Sequence, residues 1–258
     1  MNMTNIHKIS NEYLQHHAAQ VAVIGEQGQQ RLAEARVHVS GLGRVGHQVV
    51  LLLAAAGVGI VPANDPQSME PENFGAFVFA RRPDRGREKA FVLERFFDGR
   101  PDFLFEPVVA RTESAEVDPY IARSDLVVSC ANTVSARLAA EAKAIKYGKS
   151  VMQVAAYDHR ELIGGLITIR RPDRHEACFG CLLDASTIVV RGEGLLSTAT
   201  AALAAIAANM AVQLLTGQRA GFITDHNVFF VDLEKYAIDA LAVVPSPECA
   251  VCAEARNI

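Results

Sequence analysis

Residues Val37 to Asp65, VHVSGLGRVGHQVVLLLAAAGVGIVPAND, leave this chain few ways to fold. A short β-type run, Val37-His38-Val39, leads into Gly41-Leu42-Gly43-Arg44-Val45-Gly46, a G-x-G-x-x-G turn. An apolar stretch with helical spacing follows from Val45 to Ala56, closed by Gly57 and Gly59, and a second short strand ends near Asp65. A glycine motif gains meaning only in this order of strand, turn, helix, strand and acid. Gly41 permits the tight turn, Gly43 lets backbone approach a phosphate, and Gly46 lets helix and strand pack closely. The helix N-terminus offers free N–H groups and partial positive charge to an anion. Asp65 follows the motif by roughly 20 residues, where a carboxylate can accept bonds from a ribose hydroxyl. The expectation is a nucleotide site. The motif by itself does not separate NAD from ATP.

The 258 residues suit one large α/β domain or two small ones, and half of them are hydrophobic, so a sizeable core is available. A net charge of -4 gives no basic footprint for nucleic acid. No basic-then-apolar leader is seen at the N-terminus, and a cytoplasmic protein is expected. Leu195 to Leu215 carries no charge and is long enough to span a bilayer, but it is rich in Ala and includes Ser197, Thr200, Asn209 and Gln213. A buried or interfacial helix, with no membrane association, is the expectation.

Residues 1 to 36 read as a helical preamble: one helix starts at Asn11 to Leu14, Gly25 and Gly28 punctuate it, and Gln29 to Arg36 resumes helical spacing. His16 and His17 read as surface histidines. After Asp65, Pro66 to Pro83 has loop chemistry, and Gly86-Arg87-Glu88-Lys89 opens a helix to Phe96. A cation in a helix's first turn opposes the helix dipole, so Lys89 is either solvated or facing an anion. Strands are expected over Phe103 to Val109, Leu126 to Cys130 and Val151 to Ala156, with helices over Val117 to Arg123 and Arg137 to Tyr147. This alternation predicts a parallel, doubly wound half over 37–157, with Asn132 and Thr133 at a strand's carboxyl end where ligands bind. The pattern then changes. Strands over Leu162 to Ile169 and Asn227 to Asp232 predict a mixed or antiparallel extension over 158–258, continuing one large sheet within a single domain.

Four of the five cysteines form two C-x-x-C pairs, Cys178/Cys181 and Cys249/Cys252. Two such hooks supply the four thiolates of a tetrahedral structural zinc; a redox pair or disulfides are the alternatives. Four thiolates leave no open position for zinc catalysis. Cys130, at a strand end, reads as a small buried hydrophobe.

Together these features resemble the ThiF/MoeB/HesA family, bacterial relatives of ubiquitin-activating enzymes. The resemblance runs from about Ile24 to Cys252. It is carried by Ile24-Gly25-Glu26-Gln27-Gly28-Gln29 with Arg31-Leu32, the glycine turn, Ala54 to Gly59, Asp65, Asn73, Gly86 to Lys89 and both C-x-x-C hooks. It implies a homodimer with an eight-stranded sheet that binds ATP and Mg²⁺ and adenylates the C-terminal carboxylate of a small ubiquitin-like sulfur carrier or a peptide. Gly41, Gly43, Gly46, Asp65, Asn73, Arg87 and Lys89 would then hold the nucleotide. Lys89, Asn132 and Arg137 would act in catalysis, and Cys178, Cys181, Cys249 and Cys252 would bind Zn²⁺. Catalysis of this kind is mainly charge neutralisation and positioning.

The chain also departs from the family's pattern. A phosphate-binding Arg-Gln falls on Ala76-Phe77, and a metal-binding aspartate falls on Asn132. A second acid after Asp65 is Gln67, and Gln15 to His17 offers no arginine for a partner subunit. No cysteine stands between Asp184 and Gly194. Arg44, Arg81 or Arg87 are candidate replacements for the missing cations. The alternative function is a degenerate relative that only binds a peptide or protein. An NAD-dependent oxidoreductase accounts for the turn and Asp65, but not for Lys89 or the cysteine pairs.

Overall fold

The structure is a computed structural model that describes residues 9–157, 163–183 and 194–252. Two helices lead in, α1 (Asn11–His16) and α2 (Ala18–Glu34). Gly25 breaks α2 with φ 72° and ψ 165°, so the glycine is a kink within one helical segment. The first half then alternates: β1 (Val37–Ser40), α3 (Gly46–Ala56), β2 (Ile60–Asn64), α4 (Lys89–Phe97), β3 (Leu104–Val108), α5 (Asp118–Ala122), β4 (Leu126–Ser129), α6 (Val134–Lys146) and β5 (Ser150–Ala156). The second half is β6 (Gly164–Arg170), α7 (Ser197–Thr216), α8 (Gly221–Asp225), β7 (Val228–Asp232) and β8 (Ala237–Leu241).

All eight strands form one sheet in the order β3-β2-β1-β4-β5-β6-β7-β8. Strands β1 to β5 run parallel, and β6, β7 and β8 join antiparallel. The expected parallel half with a mixed extension is therefore observed. β1 lies between β2 and β4, so the chain order reverses there, and ligands of open α/β sheets bind beyond the carboxyl ends of strands at such a point. Alternate residues of each parallel strand pack on opposite faces, as the pleat demands. Val37, Val39, Leu126, Val128, Met152 and Val154 face a core shared with α2, α3, α4 and α7. Val127 and Val151 face α5 and α6 with Ile121 and Ala144.

α6 starts a turn earlier than expected, because Thr133 caps it by accepting the Ala136 N–H. The strand expected from Leu162 starts at Gly164; Leu162 is outside the described residues. Neither α8 nor β8 is anticipated by periodicity. α7 is long and apolar enough to cross a membrane, but it packs on α2, α3, β5 and β6.

Tyr13 ties the leading helices to the first βαβ unit. It is 3% exposed, and its hydroxyl donates to the Gly57 carbonyl at 2.7 Å while accepting from Gln29 Nε2 at 2.8 Å. Gly57 is the left-handed cap of α3, its own N–H closing the last turn on Ala54, so the Tyr13 bond pins the end of that helix to the leading helices. Tyr13→Phe leaves that carbonyl without its hydroxyl donor and is expected to lower unfolding free energy by about 1–2 kcal/mol, measured by urea denaturation.

Candidate active site

The glycine turn sits at the switch point, between the end of β1 and the start of α3. Gly41 has φ 89°, and a Cβ on it would meet Ala131 backbone nitrogen at 2.9 Å. A Cβ on Gly46 would fall 1.8 Å from the Gly41 carbonyl oxygen and 3.2 Å from Cys130 Cβ. The third glycine is thus required by the close approach of helix to strand. A Cβ on Gly43 would meet nothing within 4 Å, which leaves its face of the turn open.

Asp65 is buried at the end of β2. One carboxylate oxygen accepts the Leu42 N–H at 2.6 Å and the other the Gln67 N–H at 2.8 Å. Burial pushes its pKa up, while Lys89 and these two N–H groups pull against it. Each oxygen keeps further lone-pair capacity for a hydroxyl.

Lys89, the first residue of α4, is only 4% exposed. The solvated alternative is therefore excluded. Its Nζ donates to Gln67 Oε1 at 2.9 Å, and its backbone N–H donates to the Gln67 carbonyl at 3.0 Å. An acid at position 67 would neutralise this ammonium; the amide holds it without cancelling its charge. Two of the three ammonium donors have no hydrogen-bond partner among the described residues.

His47, in the first turn of α3, is fully buried, with Nδ1 2.7 Å from the Gly43 carbonyl. Burial pushes its pKa down; the carbonyls of Gly43 and Ala76 oppose this, and Lys89 and Arg44 reinforce it. The neutral ring donates from Nδ1 to Gly43, a tautomer assigned from that bond. Phe77 stacks on it with centroids 3.9 Å apart. Ala76 and Phe77 pack with Met69 and Val92, so the stretch where the resemblance places a phosphate-binding arginine is part of an apolar cluster.

The remaining expected residues differ in exposure and in their partners. Asn73 Oδ1 caps a short 3₁₀ turn by accepting the Glu70 N–H at 2.9 Å. Arg87 is exposed. Asn132 is exposed beyond β4, with no hydrogen bond among the described residues. Arg137 is buried against β4 and β5. Its Nη2 donates to the Val154 carbonyl at 3.0 Å, its Nη1 reaches the Ser129 carbonyl and Gln153 Oε1 at 3.5 Å, and its guanidinium lies 5.7 Å from the Phe179 ring centroid. Burial brings its pKa down to about 10. Cys130 is buried, and burial pushes its thiol up to about 12, which fits a packing role.

The two C-x-x-C hooks converge. All four sulfurs lie within 4.8 Å of one another, and Cys178–Cys181, Cys178–Cys249 and Cys181–Cys252 are 3.6, 3.5 and 3.5 Å apart. At these spacings the four cysteines are free thiols, not disulfides, in this structure. A tetrahedral zinc with bonds of about 2.3 Å has sulfur–sulfur edges of about 3.8 Å, so the cluster fits such an ion with little adjustment. Gly180 permits the approach, since a Cβ there would fall 2.7 Å from Val251 Cγ2. The stretch from Asp184 to 193 is outside the described residues.

His47 escapes a reading by motif, while Gln67 and Phe77 enter it only as departures, without the contacts they make here. Only the burial of His47 among apolar neighbours in Val45 to Ala56 could have drawn attention, and its spacing alone does not separate a polar contact from packing.

A sequence model of the ThiF family matches residues 15–251, and the chain belongs to that family. It is 29% identical over 237 residues to the SAMP-activating enzyme E1 of Haloferax volcanii, covering 90% of this chain and 85% of that one. It is 25% identical over 240 residues to the sulfur carrier protein adenylyltransferase of Thermus thermophilus, covering 90% and 87%. A crystal structure of E. coli MccB with ATP superposes with a TM-score of 0.77 at 14% identity, covering 95% of this chain and 75% of that one. That likeness shows a shared fold. The general class of these relatives is adenylyltransferases of the ubiquitin-activating type.

The two glycines separate fold from ligand access. Gly46→Ala is expected to destabilise the protein by more than about 3 kcal/mol, because the clash is with backbone. Gly43→Ala should change stability by no more than about 0.5 kcal/mol. Thermal and urea melts of the two variants check both values.

Proposed function

We propose that this ThiF-family protein is an ATP-dependent adenylating enzyme acting on the C-terminal carboxylate of a small ubiquitin-like sulfur carrier or a peptide. The observation that supports it most is Lys89: a buried ammonium at the glycine turn whose only hydrogen-bond partner among the described residues is a neutral amide. Such a cation is stabilised when an anion arrives, and phosphate is the anion that a glycine turn and helix N-terminus accept.

ATP supplies the electrophile. A carboxylate oxygen of the substrate attacks the α-phosphorus, the bond to the bridging oxygen breaks, and acyl-adenylate and pyrophosphate result. In this reading Gly41, Gly43 and Gly46 let the backbone approach phosphate, and Asp65 takes the ribose while remaining tied to the turn. Lys89 meets phosphate and Arg87 is a second, exposed cation. Asn73 and Asn132 offer amide groups to phosphate or Mg²⁺. An amide oxygen brings no charge to Mg²⁺, so the ion would be held mainly by the phosphates. Arg137 acts by positioning, through the carbonyls of Ser129 and Val154 at the ends of β4 and β5.

The four-cysteine cluster is read as a structural Zn²⁺ site that clamps the C-terminal hook to the body of the domain. We also read the protein as a cytoplasmic homodimer. Phe230 and Leu241, exposed on one face of β7 and β8, are apolar surface that a protein partner would cover.

Full-length protein with Mg²⁺ should bind ATP in calorimetry and catalyse ATP–pyrophosphate exchange with a suitable carrier or peptide. Lys89→Ala should lower exchange by about 100-fold or more. Folded protein that binds no ATP would overturn the reading; equal exchange by the variant would remove Lys89 from it. The metal reading has its own test. Elemental analysis should find zinc, and a chelator without denaturant should lower the melting temperature. An unchanged melt from a metal-free sample would refute the clamp.

A further inference from the structure

We infer that Arg44 is a phosphate-binding residue of this site, closing its guanidinium on the β- and γ-phosphates that leave as pyrophosphate. The inference rests on the adenylation reading and names a residue for its leaving group. Arg44 lies on the glycine turn itself, between Gly43 and the first residue of α3. Its side chain is partly buried. Nη2 donates to the Glu72 carbonyl at 3.0 Å and Nη1 to Ser197 Oγ at 3.2 Å. Both acceptors are neutral, and they engage two of the five guanidinium donors. Among the described residues no carboxylate lies within ion-pair distance of it.

The surroundings make this charge informative. Lys89 and Arg44 both act on the buried His47 ring, so two cations flank one residue of the first turn of α3. The helix N-terminus adds partial positive charge there. The carboxylate that faces Lys89 is Asp65, whose two oxygens are engaged by the N–H groups of Leu42 and Gln67. Without ligand the turn therefore gathers positive charge beyond what Asp65 balances. An arriving polyanion reverses the sign of that interaction, and partial burial strengthens it relative to water.

Arg44 is also placed against the segment that lacks a cation of its own. Its contact with Glu72, and that of Ser197 with the Gly75 carbonyl at 3.4 Å, set the guanidinium beside the turn leading into Ala76 and Phe77. The side chains of those two residues are packed with Met69 and Val92 and offer phosphate nothing. A guanidinium suits the task because its planar fork can bind two phosphate oxygens at once, which an ammonium cannot do.

The test is calorimetry of full-length wild type, Arg44→Ala and Arg44→Lys with ATP and Mg²⁺, and with adenosine, alongside thermal melts. Arg44→Ala should weaken ATP binding by about 10- to 100-fold while leaving adenosine affinity and the melting temperature near wild type. Arg44→Lys should recover part of the loss, since it keeps the charge without the fork. ATP affinity equal to wild type in Arg44→Ala overturns the inference. So does a parallel loss of ATP and adenosine binding with a lowered melt, which is the signature of a purely structural strap between the turn and α7. Wild-type protein that binds no ATP overturns the nucleotide reading itself, and the wild-type titration alone reveals that case.

Discussion

The carboxylate of Asp65 holds the site together. By accepting the N–H groups of Leu42 and Gln67, it fastens the turn after β1 to the chain after β2. A buried carboxylate is unfavourable unless its charge is met. Lys89 and the two N–H groups meet it, against the effect of burial. Lys89 reaches that place only because the long connection after β2 folds back on itself. Met69 and Arg87 are joined backbone to backbone, Gly86 donates to Met69, and Lys89 donates to Gln67. The ordering of some twenty residues that read as loop is thus tied to the electrostatics of one carboxylate. The same fold-back makes α4 begin at Lys89, where the cation opposes its own helix dipole but faces the Asp65 carboxylate.

Much of this was legible because its signals are local. The turn from Val37 to Asp65 combines glycine spacing with a change from strand to helix period, and β1, α3 and β2 lie within a residue or two of the expected bounds. The parallel half was legible from buried apolar runs. β8 was not, since Ala237 to Leu241 is an outer strand with a mostly exposed face and no strong alternation. The site was legible in residue types more than in roles. Asn73 carries an amide wherever it points, but only coordinates show its oxygen engaged by the Glu70 N–H. Ala76 and Phe77 read as losses of charge. In the structure they are also gains of packing, with Phe77 stacked on a histidine that motif reading passes over.

Gln67 shows how a departure can be consistent with the chemistry around it. A second acid at that position would compete with phosphate for Lys89. The amide orients the ammonium at 2.9 Å and adds no second negative charge to that of Asp65. With no cation at position 76, the site has fewer positive groups than the resemblance predicts, so each remaining one matters more. Removing a neutralising carboxylate near Lys89 acts in the same direction as adding a cation. Electrostatic balance belongs to the whole pocket, and counting matches to a motif one residue at a time misses it.

Arg137 connects this pocket to the cysteine cluster. Its guanidinium bonds the carbonyls of Ser129 at the end of β4 and of Val154 in β5, and lies beside Phe179, the residue that follows Cys178. One turn further along α6, Glu141 accepts from Gln153 Nε2 at 2.9 Å, and Gln153 Nε2 also donates to the Arg137 carbonyl at 3.1 Å. Burial raises the pKa of Glu141 to about 7, with the Gln153 bond working against the shift. The side chains of Arg137, Glu141 and Gln153 therefore form a polar core between α6 and β5, with the cysteine hooks seated against it. A metal in the cluster would hold the C-terminal hook against Gly180 and Phe179, and through Phe179 against Arg137. The C-terminal hook then supports the floor from which Asn132 emerges at the end of β4, although it contributes no group to the glycine turn.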